Sequence, residues 1–209
     1  MKKLSLLPIL LLSLISTSCW SVDWDDLKLR DGLYYRNFTD TPFTGEVSGR
    51  HQGKMKNGKK ESEWIYHYLN GRLEAKGSYK NGKEEGKWVT YYDNEQLHQK
   101  GNYKNGKKDG EWVRYAENGR LLQKGSYNDG KEEGEWVKYD SNGNSSAKGV
   151  YKNGKKEGEW VEYWSNGQLM DKGRYKNGKI HGEWVSYHRD GKPVKEWTGT
   201  FENGKKISD

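Results

Sequence analysis

Carboxylates are the first residues in this chain that suggest chemistry. Glu132-Glu133-Gly134-Glu135 brings three acids into four positions, and a pair of acids at the right separation is what glycoside hydrolysis requires. The same acids return at a fixed interval, each time beside lysines, which fits a solvated, self-compensated face better than a unique site. Five histidines, His51, His67, His98, His181 and His188, do not follow that interval. His67 takes a slot held elsewhere by Tyr91, Tyr115, Tyr139, Tyr163 and Tyr187, and so reads as a ring substitution. His181 and His188 would fall on opposite faces of one strand, poor geometry for a shared metal. No glycine run precedes a helix, so no phosphate loop is implied. Lysines flank the Asn-Gly turns, as in Lys104-Asn105-Gly106-Lys107, and would repel calcium. The expectation is a protein with no catalytic residues, no metal and no cofactor.

Cys19 is different. It is the only cysteine in the chain, so it cannot form an internal disulfide. A basic start, Met1-Lys2-Lys3, leads into an apolar run from Leu4 to Ile15 and then the small residues Ser16, Thr17 and Ser18. The run is short for a membrane span of about 20 residues but suits the core of a signal peptide. Ile15-Ser16-Thr17-Ser18-Cys19 resembles a bacterial lipobox, with Ser16 where that motif usually has Leu. The resemblance implies a signal peptide over 1–18, lipidation of Cys19, and an exported lipoprotein anchored in the membrane of the cell envelope. Two or three acyl chains would hold it firmly, since one alone anchors marginally. Loss of Lys2 and Lys3 with the signal lowers the net charge from +7 to +5. Stability outside the cytoplasm would then come without disulfides.

These groups must be positioned by an unusual body. Of 209 residues, 31% are hydrophobic and 32% charged, against an apolar share of roughly 45–50% in ordinary soluble domains. Disordered chains share such values but are poor in aromatics, whereas this one has 10 Trp and 15 Tyr. Its 27 Gly rule out a long-helix or coiled-coil protein. Trp64, Trp88, Trp112, Trp136, Trp160 and Trp184 stand at a constant step of 24, and Gly53, Gly77, Gly101, Gly125, Gly149 and Gly173 keep the same step. Internal repetition of this kind decides the architecture. Each unit carries two turn dipeptides, such as Asn105-Gly106 and Asn118-Gly119, the strongest short-range hairpin signal. Between them lie strands such as Leu97–Lys104 and Lys107–Tyr115. The fold class expected is all-β, an elongated antiparallel meander of 24-residue hairpin repeats. One unit buries too little to fold alone, so stacked neighbours must complete the core.

If both turns hold two residues, the register follows. Gly101 faces Gly110, Lys100 faces Glu111, Trp112 faces Gly125, and Val113 faces Lys124. Alternation along a strand then gathers Trp112, Tyr103, Leu121 and the glycines on one face, the core, where indoles lie flat on backbone that lacks a Cβ. Core positions are Trp64, Trp88, Trp112, Trp136, Trp160 and Trp184 with Tyr79, Tyr103, Tyr127, Tyr151 and Tyr175. The opposite face carries cross-strand pairs Lys100–Glu111, Lys124–Glu135, Lys148–Glu159 and Lys172–Glu183, which set register more than stability. Residues 19–30 are expected to be a tether, 31–52 a degenerate first unit, 53–198 six full units and 199–209 an incomplete last one.

The sequence Tyr103-Lys104-Asn105-Gly106-Lys107-Lys108-Asp109-Gly110-Glu111-Trp112-Val113-Arg114-Tyr115, with Asn118-Gly119, resembles the bacterial variant of the MORN repeat. Thr41-Pro42-Phe43-Thr44-Gly45 is similar to the opening of many such chains. The resemblance covers about residues 31–205. It implies a non-enzymatic, protein-binding scaffold, and chains of the YwqK type within it carry the label of toxin–antitoxin components. Export separates this chain from a cytoplasmic antitoxin, leaving an envelope scaffold, with envelope immunity or surface adhesion to polysaccharide or host protein as alternatives. A row of turn lysines, including Lys56, Lys59, Lys80 and Lys83, leaves room for weak contact with anionic lipid or polysaccharide. Export argues against nucleic acid. Departures from the repeat point to partner contacts: Trp164, Tyr92 and Tyr68 stand where other units have Ala116, Asp140 and His188.

Overall fold

The computed structural model describes residues 21–209, so the expected signal segment over 1–18 and Cys19 lie outside the described residues. Eighteen strands occur among the described residues, sixteen of them in one sheet. The chain opens with β1 (Val22–Asp23), β2 (Leu27–Arg30), β3 (Leu33–Arg36) and β4 (Gly45–Ser48). The repeats follow as β5 (His51–Lys56), β6 (Lys59–His67), β7 (Leu73–Lys80), β8 (Lys83–Tyr91), β9 (Leu97–Lys104), β10 (Lys107–Tyr115), β11 (Leu121–Asn128) and β12 (Lys131–Tyr139). They continue as β13 (Ser145–Lys152), β14 (Lys155–Tyr163), β15 (Leu169–Lys176) and β16 (Lys179–Ser186), and the sheet finishes with β17 (Gly199–Glu202) and β18 (Lys205–Ser208). From β4 onward each strand pairs with the next in sequence, an antiparallel meander. Only β1 departs, joining β4 in parallel, while β2 and β3 form a separate hairpin.

The two turn types differ. At Asn105-Gly106 both residues have positive φ, 52° and 80°, the type I′ turn that matches the twist of a hairpin. At the other end Gly119 alone is left-handed, at 79°; its N–H donates to Ala116 O at 2.9 Å and Ala116 N donates to Arg120 O at 2.7 Å. That is a three-residue loop with a bulge, where two residues were expected. A register shift at Tyr115 absorbs the extra residue, so Trp112 still faces Gly125 and Val113 still faces Lys124.

Beside the Asn-Gly turns the expected register fails. Asp109 pairs with Asn102, but Val113 pairs with Lys100, so two extra residues bulge out of β10. Gly110 makes the bulge possible with φ 71°, a region that costs other residues roughly 1–2 kcal/mol. Gly101 therefore stands opposite an indole rather than Gly110, as Gly77 does opposite Trp88. The bulge leaves a carbonyl without a ladder partner, and the indole supplies one: Trp112 Nε1 donates to Asn102 O at 3.0 Å, Trp88 to Ser78 O at 3.2 Å and Trp160 to Val150 O at 2.9 Å. In the first unit the bulge position is Ser62, held at φ 60°.

The indoles do lie flat on glycine, but on the glycine that opens their own unit. A Cβ added to Gly125 would stand 2.2 Å from Trp136, and one on Gly101 2.3 Å from Trp112. Residues 21–30 are no tether. Val22 is buried, Trp24 lies 5.9 Å from Trp64, and Leu27, Tyr34 and Phe43 pack with it on the Val47–Met55–Trp64 cluster.

Candidate binding surface

One face of the sheet is sealed by its own side chains. Tyr and Trp alternate edge-to-face without a break: Tyr79–Trp88 at 5.3 Å, Trp88–Tyr103 at 5.9 Å, Tyr103–Trp112 at 5.1 Å, Trp112–Tyr127 at 6.2 Å, and so on to Tyr175–Trp184 at 5.1 Å. Each ring thus touches both neighbours, a favourable geometry for aromatic quadrupoles. This row holds all six tryptophans and five tyrosines named as core in the sequence, and Trp64, Trp112, Trp136, Trp160 and Trp184 are buried in it.

Lysines lie across this aromatic row in alternate units. Lys60 Nζ sits between 4.6 and 5.1 Å from the rings of Trp24, Trp64, Tyr66 and Tyr79 and donates to Tyr66 Oη at 2.8 Å. Lys108 lies 4.1 Å from Trp112, and Lys156 4.3 Å from Trp160. Such contacts favour the ammonium form. Burial works against it and lowers the Lys60 pKa to about 8, although the Glu84 charge pulls the other way. At Lys156 burial is outweighed by the hydrogen bond and charge of Glu162, and the pKa lies above the ordinary lysine value. The Tyr66 hydroxyl, buried and bonded to Tyr79, is pushed well up. These lysines escaped the sequence reading. The signal was there, in a slot four residues before each Trp that runs Lys60, Glu84, Lys108, Glu132, Lys156, Ile180.

Both rows of turns are stitched from unit to unit. Glu61 Oε2 accepts from Asn81 N at 2.6 Å, while Glu85 with Asn105, Glu133 with Asn153 and Glu157 with Asn177 repeat the bond at 2.8 Å. Asp109 holds that slot in the third unit, and there the next turn is tied by Lys107 to Asp129 at 2.7 Å. The recurrent carboxylates thus cap turns. Along the other row Tyr68 Oη donates to Tyr91 O at 2.7 Å, Tyr92 Oη to Tyr115 O at 2.9 Å, and Trp164 Nε1 to Tyr187 O at 3.0 Å. The three departures from the repeat therefore hold their polar atoms on the following unit, each half-buried.

The opposite face is different in kind. Val89 pairs with both Lys76 and Lys100, Val113 with Lys100 and Lys124, Val137 with Lys124 and Lys148, and Val161 with Lys148 and Lys172. A ladder of alternating valine and lysine runs down its middle. The expected pairs Lys100–Glu111, Lys124–Glu135, Lys148–Glu159 and Lys172–Glu183 are not opposite one another, because the bulge takes each glutamate out of the ladder with the preceding strand and sets the valine two residues later in its place: Val113 faces Lys100 and Val137 faces Lys124. Lys76 instead reaches Glu63 at 3.0 Å in the preceding strand. Open grooves follow this ladder. One of about 760 Å³ is lined by Glu63, Lys76, Lys87, Val89, Lys100 and Val113, and another of about 740 Å³ by Glu135, Lys148, Val150, Glu159, Val161 and Tyr163.

Comparison with known proteins agrees with this geometry. The MORN repeat variant family matches residues 56–81, 84–105, 108–129, 132–153, 156–177 and 180–200, more than half of the chain. The chain belongs to that family. MORN repeats are commonly binding scaffolds and generally non-catalytic. No curated protein matches the chain. Among solved structures it is similar to a chain in the crystal structure of a GtfA/B complex bound to UDP and GlcNAc, at 9% identity and a TM-score of 0.16, over 85% of this chain and 26% of that one. A likeness at that level carries no argument about function.

Proposed function

We propose that this protein is a non-enzymatic repeat scaffold, tethered to the bacterial cell envelope by lipid on Cys19, whose valine–lysine face binds a partner protein. The observation that carries this reading is the contrast between the faces. On one, indoles, phenols and lysines satisfy each other. On the other, charged and apolar side chains line open grooves with nothing from the described residues laid across them. A row of hydrophobic positions rimmed by charge is what a protein interface needs, with apolar contact for affinity and ionic groups for register. Lys87 adds a local positive excess, since other units place Glu111, Glu135, Glu159 or Glu183 in its slot.

Affinity purification of the native lipoprotein from its own membranes tests this. A protein recovered with the wild type and lost with Lys100→Glu/Lys148→Glu supports the face as the contact. Recovery of the same protein with both, or of polysaccharide in place of protein, overturns it. An acyl-chain analogue should label the wild type and fail to label Cys19→Ser; equal labelling removes the lipid anchor from the proposal.

A further inference from the structure

The fifth and sixth units differ in one charged group. In the fifth, Lys156 lies over Trp160 and 4.8 Å from Tyr175, and its carboxylate partner is Glu162. In the sixth, the lysine slot holds Ile180 and the glutamate slot Ser186. A carboxylate is still present. Asp171 occupies a position that reads Ala75, Gln99, Gln123 and Ala147 in earlier units, and it accepts a hydrogen bond from Ser186 Oγ. Ser186 Oγ in turn accepts from Trp184 Nε1 at 3.0 Å, so the last indole leaves the carbonyl its predecessors use and turns toward the acid. Asp171 forms no ion pair among the described residues. Lys206, the next lysine along the face, is held by Lys195 O at 2.6 Å and by Asp209.

Around this acid lies a pocket of about 320 Å³ walled by Trp164, Tyr175, Trp184, Tyr187 and Trp197. Trp197 is 54% exposed at its rim. Met170, Ile180 and Val194 complete the wall. Rings beside one carboxylate make the environment that Lys156 fills from within the chain, and rings alone hold Lys60 and Lys108.

We propose that this pocket receives a lysine or arginine side chain of the partner protein, supplying from outside the cation that the sixth unit lacks. The inference rests on the scaffold reading above and adds a second contact for the same partner, at the one open end of the tryptophan face rather than on the valine–lysine face. An ammonium gains the ring faces and the Asp171 charge; a guanidinium also stacks flat on an indole and presents a fork to the carboxylate. A basic side chain fits better than a small inorganic cation, because the walls offer rings and a single carboxylate, too few oxygens for a hard metal.

Indole N–H signals of the full-length chain in detergent, titrated with Nα-acetylarginine methylamide and Nα-acetyllysine methylamide, test the pocket directly. Trp164, Trp184 and Trp197 should shift while Trp64 and Trp112 stay in place, and the neutral isostere Nα-acetylcitrulline methylamide should leave all of them unmoved. Asp171→Asn keeps an acceptor for Ser186 and should weaken the arginine response by about tenfold or more. If that variant disturbs the free indole spectrum, Trp197→Ala at the rim serves instead and should weaken it as well. Equal shifts with citrulline, no shifts at all, or choline shifting these indoles more than either basic probe would overturn the assignment. A partner recovered from membranes equally by wild type and Asp171→Asn, with silent indoles, removes the pocket and leaves the scaffold reading in place.

Discussion

The two ends of the tryptophan face carry related groups arranged in opposite ways. At the N-terminal end, Lys60 brings its ammonium into a box of four rings, and Trp24, Leu27 and Tyr34 close over the cluster so that Trp64 and Met55 are fully buried. At the C-terminal end, Asp171 sits among five rings, its cation missing and Trp197 exposed on the rim. The two sites use different repeat positions: the slot of Lys60 holds Ile180 in the sixth unit, and the charge there comes instead from Asp171, in the slot of Ala75 and Ala147. They also differ in what the neighbouring non-repeat segment does: Trp24, Leu27, Tyr34 and Phe43 lie down as a lid, whereas the segment from Pro193 to Trp197 lines one side of the pocket and leaves it open. A repeat array therefore acquires distinct ends by single substitutions within the unit plus a covering strap. The closed end is built for stability, and the open end is where the proposed basic side chain would enter.

The sharpest test of that contrast is removal of an indole from each end. Trp64→Ala, at the closed end, should cost about 3–5 kcal/mol in denaturant unfolding. Next in size is the middle of the array, where Gly125→Val forces a side chain into Trp136 and should cost about 2–3 kcal/mol; an unchanged thermal midpoint there would break the indole-on-glycine register. Ser62→Gly acts in the other direction. It relieves the left-handed serine in the first bulge and should stabilise the protein by about 1 kcal/mol, read as a higher midpoint.

Lys60 adds a pH signature confined to the closed end. Its pKa falls from 10.5 in the unfolded chain to about 8 in the folded one. Between those values the unfolded state binds more protons, so stability rises with pH. The stability of wild type relative to Lys60→Met should be level below about pH 7 and climb between about 8 and 10, the difference removing the tyrosine ionisation near pH 10 that both proteins share. A flat difference would show that the ring box holds the ammonium without strain. Smallest of all, Trp197→Ala should change unfolding by less than about 1 kcal/mol, since the ring is largely exposed. A cost equal to that of Trp64→Ala would erase the distinction between the ends.

Much of this was legible before any coordinate. Six tryptophans and six glycines in phase fixed the strand pattern to the residue at Leu97–Lys104 and Lys107–Tyr115, because Asn-Gly turns and period-two alternation are local signals. Trp112 opposite Gly125 followed from counting. The bulge did not. Gly110 reads as one more small residue, and only a ladder that must place an indole over Gly101 shows why a left-handed glycine is needed there. That two-residue slip is also why the lysines face valines rather than glutamates. Tyr68, Tyr92 and Trp164 were visible as departures, but their bonds to the next unit's backbone depend on how loops stack, which spacing alone does not report. Lys60 looked like any turn lysine, since nothing in its neighbours announces that Trp24, far away in the chain, folds back onto it.

The sequence by itself determined that this chain is a β-hairpin array of the MORN type, because each turn and each alternation is written in adjacent residues and repeated six times. The tertiary structure alone decided the register beside the bulges, which face is sealed and which is open, and how each end is closed. Those outcomes arise from competition between non-local contacts, an indole against a glycine, a buried ammonium against its rings, and no local preference ranks them.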